Sequence, residues 1–80
     1  MKILIKYFGL IMDLTTKKEE VFELDFNEIS AEELKKILIQ KYPQLEKIVY
    51  KIAVNEVIIS ENTKIQHNDT IALLPPFAGG

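Results

Sequence analysis

Eighty residues with a formal charge of -2 make one small domain, and at this size only about 60% of the unfolded chain's surface is buried on folding, which leaves little room for a large catalytic cleft. The absence of cysteine excludes a disulfide framework, a thiolate-held zinc or iron–sulfur centre and an encoded thiol nucleophile. All ten basic residues are scattered lysines, so there is neither a basic stripe nor a guanidinium fork for a nucleic-acid backbone.

The first apolar run, Met1-Lys2-Ile3-Leu4-Ile5, meets charge again at Lys6 and is too short for a signal peptide or a membrane span. The expected compartment is the cytoplasm. Residues 2–8 alternate, with Ile3, Ile5 and Tyr7 on one face and Lys2, Leu4, Lys6 and Phe8 on the other, the pattern of a strand with one buried face. Gly9 lets the chain leave that strand, and an irregular stretch is expected through Asp13, Thr15 and Thr16. From Glu20 to Phe26 a second strand is expected at an edge of the sheet, with Phe22, Leu24 and Phe26 turned one way and Glu23 and Asp25 the other.

Ser30-Ala31-Glu32-Glu33 is a capping box, because the Ser30 hydroxyl is placed to accept from the Glu33 amide while the Glu33 carboxylate reaches back to the Ser30 amide. The helix it opens repeats Ala31, Leu34, Ile37 and Leu38 at three- and four-residue spacing, and Pro43 disfavours helical geometry at Tyr42. Tyr50–Val54 and Val57–Ser60 read as short strands joined at Asn55-Glu56, since Asn tolerates positive φ. Asn68-Asp69 then turns the chain into a last strand, Thr70–Leu74, which Pro75-Pro76 ends. Strand, strand, helix and two or three further strands, without βαβ alternation or repeats, predict an α+β domain. Its helix is expected to pack Leu34, Ile37 and Leu38 on a mixed sheet lined by Ile3, Ile5, Phe22, Leu24, Val54 and Ile71.

The encoded inventory for catalysis is thin. His67 sits in the polar turn Gln66-His67-Asn68-Asp69 and reads as a solvated loop residue rather than a base paired with Asp69. Of the two serines, Ser30 is a helix cap, and no Ser-His-Asp constellation assembles around Ser60. Asp13, Glu19-Glu20 and Glu32-Glu33 are explained by solvation and by the helix dipole, and no metal is called for.

The end of the chain is the unusual feature. Leu73-Leu74-Pro75-Pro76-Phe77-Ala78-Gly79-Gly80 carries no polar side chain. Two terminal glycines arise by chance in roughly 0.5% of chains at an average glycine usage of about 7%. Pro75-Pro76 stops ladder pairing and favours an extended exit, Phe77 offers an anchor for a partner's groove, and Ala78, Gly79 and Gly80 suit a narrow channel. Residues 1–75 are therefore expected to form the domain and 76–80 a flexible tail reaching roughly 15 Å at about 3.3 Å per residue. The reactive group it delivers is the Gly80 carboxylate, ionised near neutrality with a pKa of about 3.5 and a poor electrophile until activated.

On Leu74-Pro75-Pro76-Phe77-Ala78-Gly79-Gly80, and over the order of elements along nearly the whole chain, the sequence resembles the molybdopterin synthase small subunits. The resemblance implies a ubiquitin-like β-grasp fold and a carrier that is not itself an enzyme. It implies that Gly80 is adenylated by a ubiquitin-activating-enzyme-like adenylyltransferase using ATP, with no cofactor bound by the carrier. The terminus then becomes a thiocarboxylate, inserts into the large synthase subunit and gives its sulfur to cyclic pyranopterin monophosphate. Family members usually carry a smaller aliphatic residue where Phe77 stands, which implies a differently shaped groove here. Thiamine-pathway sulfur carriers and ubiquitin-like protein modifiers share the Gly-Gly end. A non-conjugating interaction domain that binds through a sheet face bearing Leu4 and Phe8 is the reading from another class.

Overall fold

A computed structural model describes residues 1–75. The expected tail positions Pro76, Phe77, Ala78, Gly79 and Gly80 lie outside the described residues. The alternation at the start of the chain gives strand β1, Lys2–Tyr7, with Ile3, Ile5 and Tyr7 buried. Helix α1, Gly9–Thr15, follows where an irregular stretch was expected. It forms without a side-chain cap and is held by burial of Ile11 and Thr15, whose hydroxyl donates to the Lys17 carbonyl, and by a left-handed C-cap at Thr16.

Strand β2, Glu19–Glu23, runs antiparallel to β1 and is shorter than the alternation suggests. Its last pair is Lys2 with Glu23, after which β1 has no further residue to offer. The N-terminal ammonium instead donates to the carbonyls of Leu24 and Phe26, and the Leu24 amide donates back to the Met1 carbonyl. This curl leaves Leu24 half-buried and Phe26 exposed, so Phe26 does not take the inward place expected for it.

Two short strands with no periodic signal, β3 at Glu28–Ser30 and β6 at Lys64–Gln66, pair as a separate small sheet that buries Ile29 against Ile65. The helix after β3, α2 at Ala31–Lys41, opens on the expected reciprocal cap: the Glu33 amide donates to Ser30 Oγ at 3.1 Å and the Ser30 amide to Glu33 Oε1 at 3.0 Å. The Ser30 backbone and side-chain bonds hold the Glu33 carboxyl below its ordinary value. Ser30→Ala removes one of the two bonds and is expected to lower stability by about 1 kcal/mol in urea unfolding. A turn of 3-10 helix, Pro43–Lys47, then buries Leu45.

Strands β4, Lys51–Val54, and β5, Val57–Ile58, form the expected hairpin. Both loop residues have positive φ, 50° at Asn55 and 73° at Glu56, as a two-residue type I′ loop requires. Glu56 pays the left-handed penalty that glycine escapes, so Glu56→Gly is expected to raise stability by about 0.5–1 kcal/mol. A fall in the urea midpoint would contradict it.

Strand β7, Thr70–Leu74, lies parallel to β1 and antiparallel to β4, giving the sheet order β2-β1-β7-β4-β5. With β2 at an edge and α2 crossing one face, this is the mixed β-grasp sheet that the resemblance implies. Leu34 and Leu38 meet Ile3, Ile5, Phe22, Ile52, Ile71 and Leu73 in one core, while Ile37 and Val54 pack half-buried at its margin. Among the described residues no helix is long and apolar enough to cross a membrane.

Candidate functional site

The site predicted from sequence is a chain end, and the fold fixes where that end leaves the body. Leu73 pairs with Tyr7 on β1 and with Ile52 on β4, and Leu74 pairs with Lys51. Pro75 lacks the amide that would extend the ladder and is the first residue outside it. Of the residues expected to act, Pro75 is therefore placed at the mouth of the exit, half-buried.

A partly buried charge cluster gathers where β1 ends, at Tyr7, the residue that pairs with Leu73 just before the exit. Glu20 begins the inward face of β2, in phase with Phe22, and its side chain is only 9% exposed. Tyr7 and Tyr42 hydroxyls donate to Glu20 Oε1 at 2.8 and 2.7 Å, while Lys17 Nζ, at 3.0 Å, and Lys41 Nζ donate to Oε2. Burial alone raises the Glu20 pKa, but the Lys41, Tyr42, Lys17 and Tyr7 bonds together outweigh it and hold the carboxyl at about 2. The Tyr7 hydroxyl is pushed far up, first by burial and then by its bond to the carboxylate. The Tyr7 and Tyr42 rings meet edge to face with centroids 6.0 Å apart. Glu20 is thus no solvated edge carboxylate, as its sequence neighbourhood suggested. It clasps the end of β1, the start of β2 and the last turn of α2 together, and its phase with Phe22 was the sequence signal for that inward placement.

The remaining polar candidates are occupied structurally. His67 Nδ1 accepts from the Lys2 amide at 3.0 Å, while the Asp69 carboxylate takes the Asn55 side-chain amide and the Gln66 backbone amide. His67 is therefore tied to β1 rather than simply solvated, and neither residue serves the other as a catalytic partner among the described hydrogen bonds. Ser60 Oγ lies 3.4 Å from Thr63 Oγ1. A hollow of about 440 Å³ between α2 and the β4–β5 hairpin is lined by Lys35, Tyr50, Ile52, Ile58, Ile59 and Ser60 among others. The sheet face away from α2 exposes Phe8, with Leu4 and Leu74 half-buried on it, interleaved with Lys6, which pairs with Ala72, and Lys51, which pairs with Leu74.

Comparison with known proteins bears on this arrangement at full length. The ThiS family model matches residues 5–80. A molybdopterin synthase sulfur carrier subunit of Caenorhabditis briggsae is 34% identical over 80 residues, covering 95% of this chain and 94% of its own. Among solved structures, a Pyrococcus furiosus chain assigned as subunit 1 of molybdopterin converting factor superposes with a TM-score of 0.87 at 22% identity, covering 96% of this chain and 99% of that one. The complex of subunits 1 and 2 of molybdopterin-converting factor from Helicobacter pylori contains a chain with a TM-score of 0.71 at 30% identity, matched over 100% of both.

Proposed function

Because the chain belongs to the ThiS family, we propose that it is the sulfur carrier subunit of a molybdopterin synthase, with Gly80 as the residue that carries the sulfur. The observation that bears most weight is the full-length likeness to sulfur carrier subunits, since the family match runs through residue 80 and so includes the Gly-Gly end.

The chemistry follows from what a C-terminal carboxylate lacks. It is a stable anion, so a partner adenylyltransferase must join the Gly80 carboxylate to the α-phosphate of ATP, releasing pyrophosphate and leaving AMP as a good leaving group on the acyl carbon. A sulfur nucleophile then displaces AMP to give the thiocarboxylate. In the large subunit the thiocarboxylate sulfur bonds to a carbon of cyclic pyranopterin monophosphate as an oxygen substituent of that carbon leaves, and water then cleaves the resulting thioester, so that the sulfur stays on the pterin and Gly80 returns to a carboxylate. The carrier contributes a reach of roughly 15 Å from Pro76 to Gly80, side chains slim enough at Ala78, Gly79 and Gly80 to pass a narrow channel, and a rigid body from which Pro75 and Pro76 lead out. Phe77 is the anchor for the partner's groove. The large-subunit partner is supported by the Helicobacter pylori complex of subunits 1 and 2.

The test is intact-mass analysis after incubation with ATP, a sulfur source and the cognate adenylating enzyme, followed by a thiol-specific alkylating reagent. The chain has no cysteine, so the unactivated protein gives no background. One alkyl adduct mapped to Gly80 is the expected result. No adduct, with the enzyme active on a control carrier, would overturn sulfur carriage and leave a protein modifier or a passive interaction domain.

A further inference from the structure

The parallel register that pairs Tyr7 with Leu73, continued two residues along each chain, brings Gly9 opposite Pro75. The contact is close. A Cβ built on Gly9 would lie 2.9 Å from Cγ of Pro75, 3.8 Å from its Cβ and 3.9 Å from its Cδ, and Gly9 holds φ of +55°. The proline ring thus occupies the space that any other residue at position 9 would fill. Because the ring is closed onto the backbone nitrogen and fixes φ, only a change of ring pucker at Cγ can relieve the contact before the chain that carries the ring must move.

We infer that Gly9 is a positioning residue: its missing side chain seats the Pro75 ring and thereby sets the point and direction from which residues 76–80 leave the body. Its consequence for sulfur transfer rests on the function proposed above. A Cβ at position 9 forces the ring outward by about 0.5–1 Å to restore ordinary carbon–carbon contact. The shift is applied at the root of residues 76–80, so its expected effect stays below the about 100-fold that a 1 Å misplacement of the reacting centre itself costs. Pro75→Ala removes Cγ and Cδ and keeps only the Cβ, whose 3.8 Å separation is ordinary contact, so it reopens the space.

The experiment is a double-mutant cycle of Gly9→Ala and Pro75→Ala, in which the backbone strain of a side chain at positive φ is common to both backgrounds and cancels. The absence of cysteine allows one spin label on an Ala78→Cys chain, and broadening of body amides reports where position 78 lies. Gly9→Ala is expected to move the broadening pattern when Pro75 is present and to leave it unchanged when position 75 is alanine. In the unlabelled Ala78 chains, kcat for C-terminal adenylation falls about 10-fold in the first case and less than about threefold in the second, with KM steady in both.

Equal effects in the two backgrounds, or no effect in either, would overturn the seat. Should Gly9→Ala fail to fold, Gly9→Asn carries the same Cβ on a residue that tolerates positive φ. If the wild-type chain is not adenylated at all, the proposed function fails while the spin-label comparison still decides the role of Gly9.

Discussion

Deleting Gly80 is expected to lower sulfur transfer by more than about 1000-fold while leaving the urea midpoint of the domain within error. The two halves of this expectation have different origins. The last ladder pair is Leu74 with Lys51, and the core is built from Ile3 to Leu73, so stability is set before the chain reaches residue 76. The proposed function, by contrast, depends on where the terminal carboxylate stands. Removing one residue withdraws it by about 3.3 Å, several times the 1 Å that costs about 100-fold in a positioned reaction. Single-turnover transfer measured beside a urea melt separates the two. A variant that melts normally and transfers sulfur at the wild-type rate would eliminate Gly80 as the carrier. Gly80→Ala provides the companion measurement: it keeps the length and adds a Cβ, so loss of rate in this variant as well points to a narrow channel rather than to reach alone.

The parts of the fold that were legible in the sequence are those whose periodicity persists long enough to be read. β1 alternates over six residues, α2 carries its start signal in Ser30 and Glu33, and Asn55 marks the hairpin loop. The rest depended on contacts. α1 begins at a glycine with no capping side chain, so its seven residues read as the exit from β1 until Ile11 is seen buried. β3 and β6 have three residues each, too few to establish a period, and exist because Ile29 and Ile65 cover one another. Phe26 alternates correctly and is nonetheless exposed, because β1 ends before it can be paired.

The same division holds at the site. Gly79-Gly80 and the prolines were singled out by composition alone, and Pro75 is the one of them that lies among the described residues. The Glu20 cluster could not be assembled from sequence, because Lys41 and Tyr42 arrive from 21 and 22 residues away at the end of α2. The Gly9–Pro75 contact joins residues at opposite ends of the chain. Phase along β2 pointed Glu20 inward, and only the fold supplied its partners.

Those partners make Glu20 the main acid-sensitive element described in the body. Its carboxyl titrates at about 2 in the folded protein against an ordinary 4.5, so the folded state binds its proton less readily than the unfolded chain does. The stability it contributes is therefore fully present above about pH 4.5 and is lost as the pH falls from there through about 2. The full displacement corresponds to about 3 kcal/mol. The lysine side chains are 47% exposed and their share is screened by solvent, which lowers the expectation to about 2 kcal/mol. Glu20→Gln keeps the shape and, with its amide oxygen in the place of Oε1, an acceptor for both tyrosines, but removes the charge that pairs Lys17 and Lys41 on Oε2. At pH 7 it is expected to lose about 2 kcal/mol, near 10 °C in Tm for a domain of this size, and to flatten the stability profile between pH 5 and 2. Urea unfolding across that range, with wild type and variant in parallel, measures both. If the variant keeps the wild-type slope below pH 5, the charge of Glu20 is not what makes the domain acid-sensitive, and Glu33, capped by Ser30 at the head of α2, becomes the group to replace next.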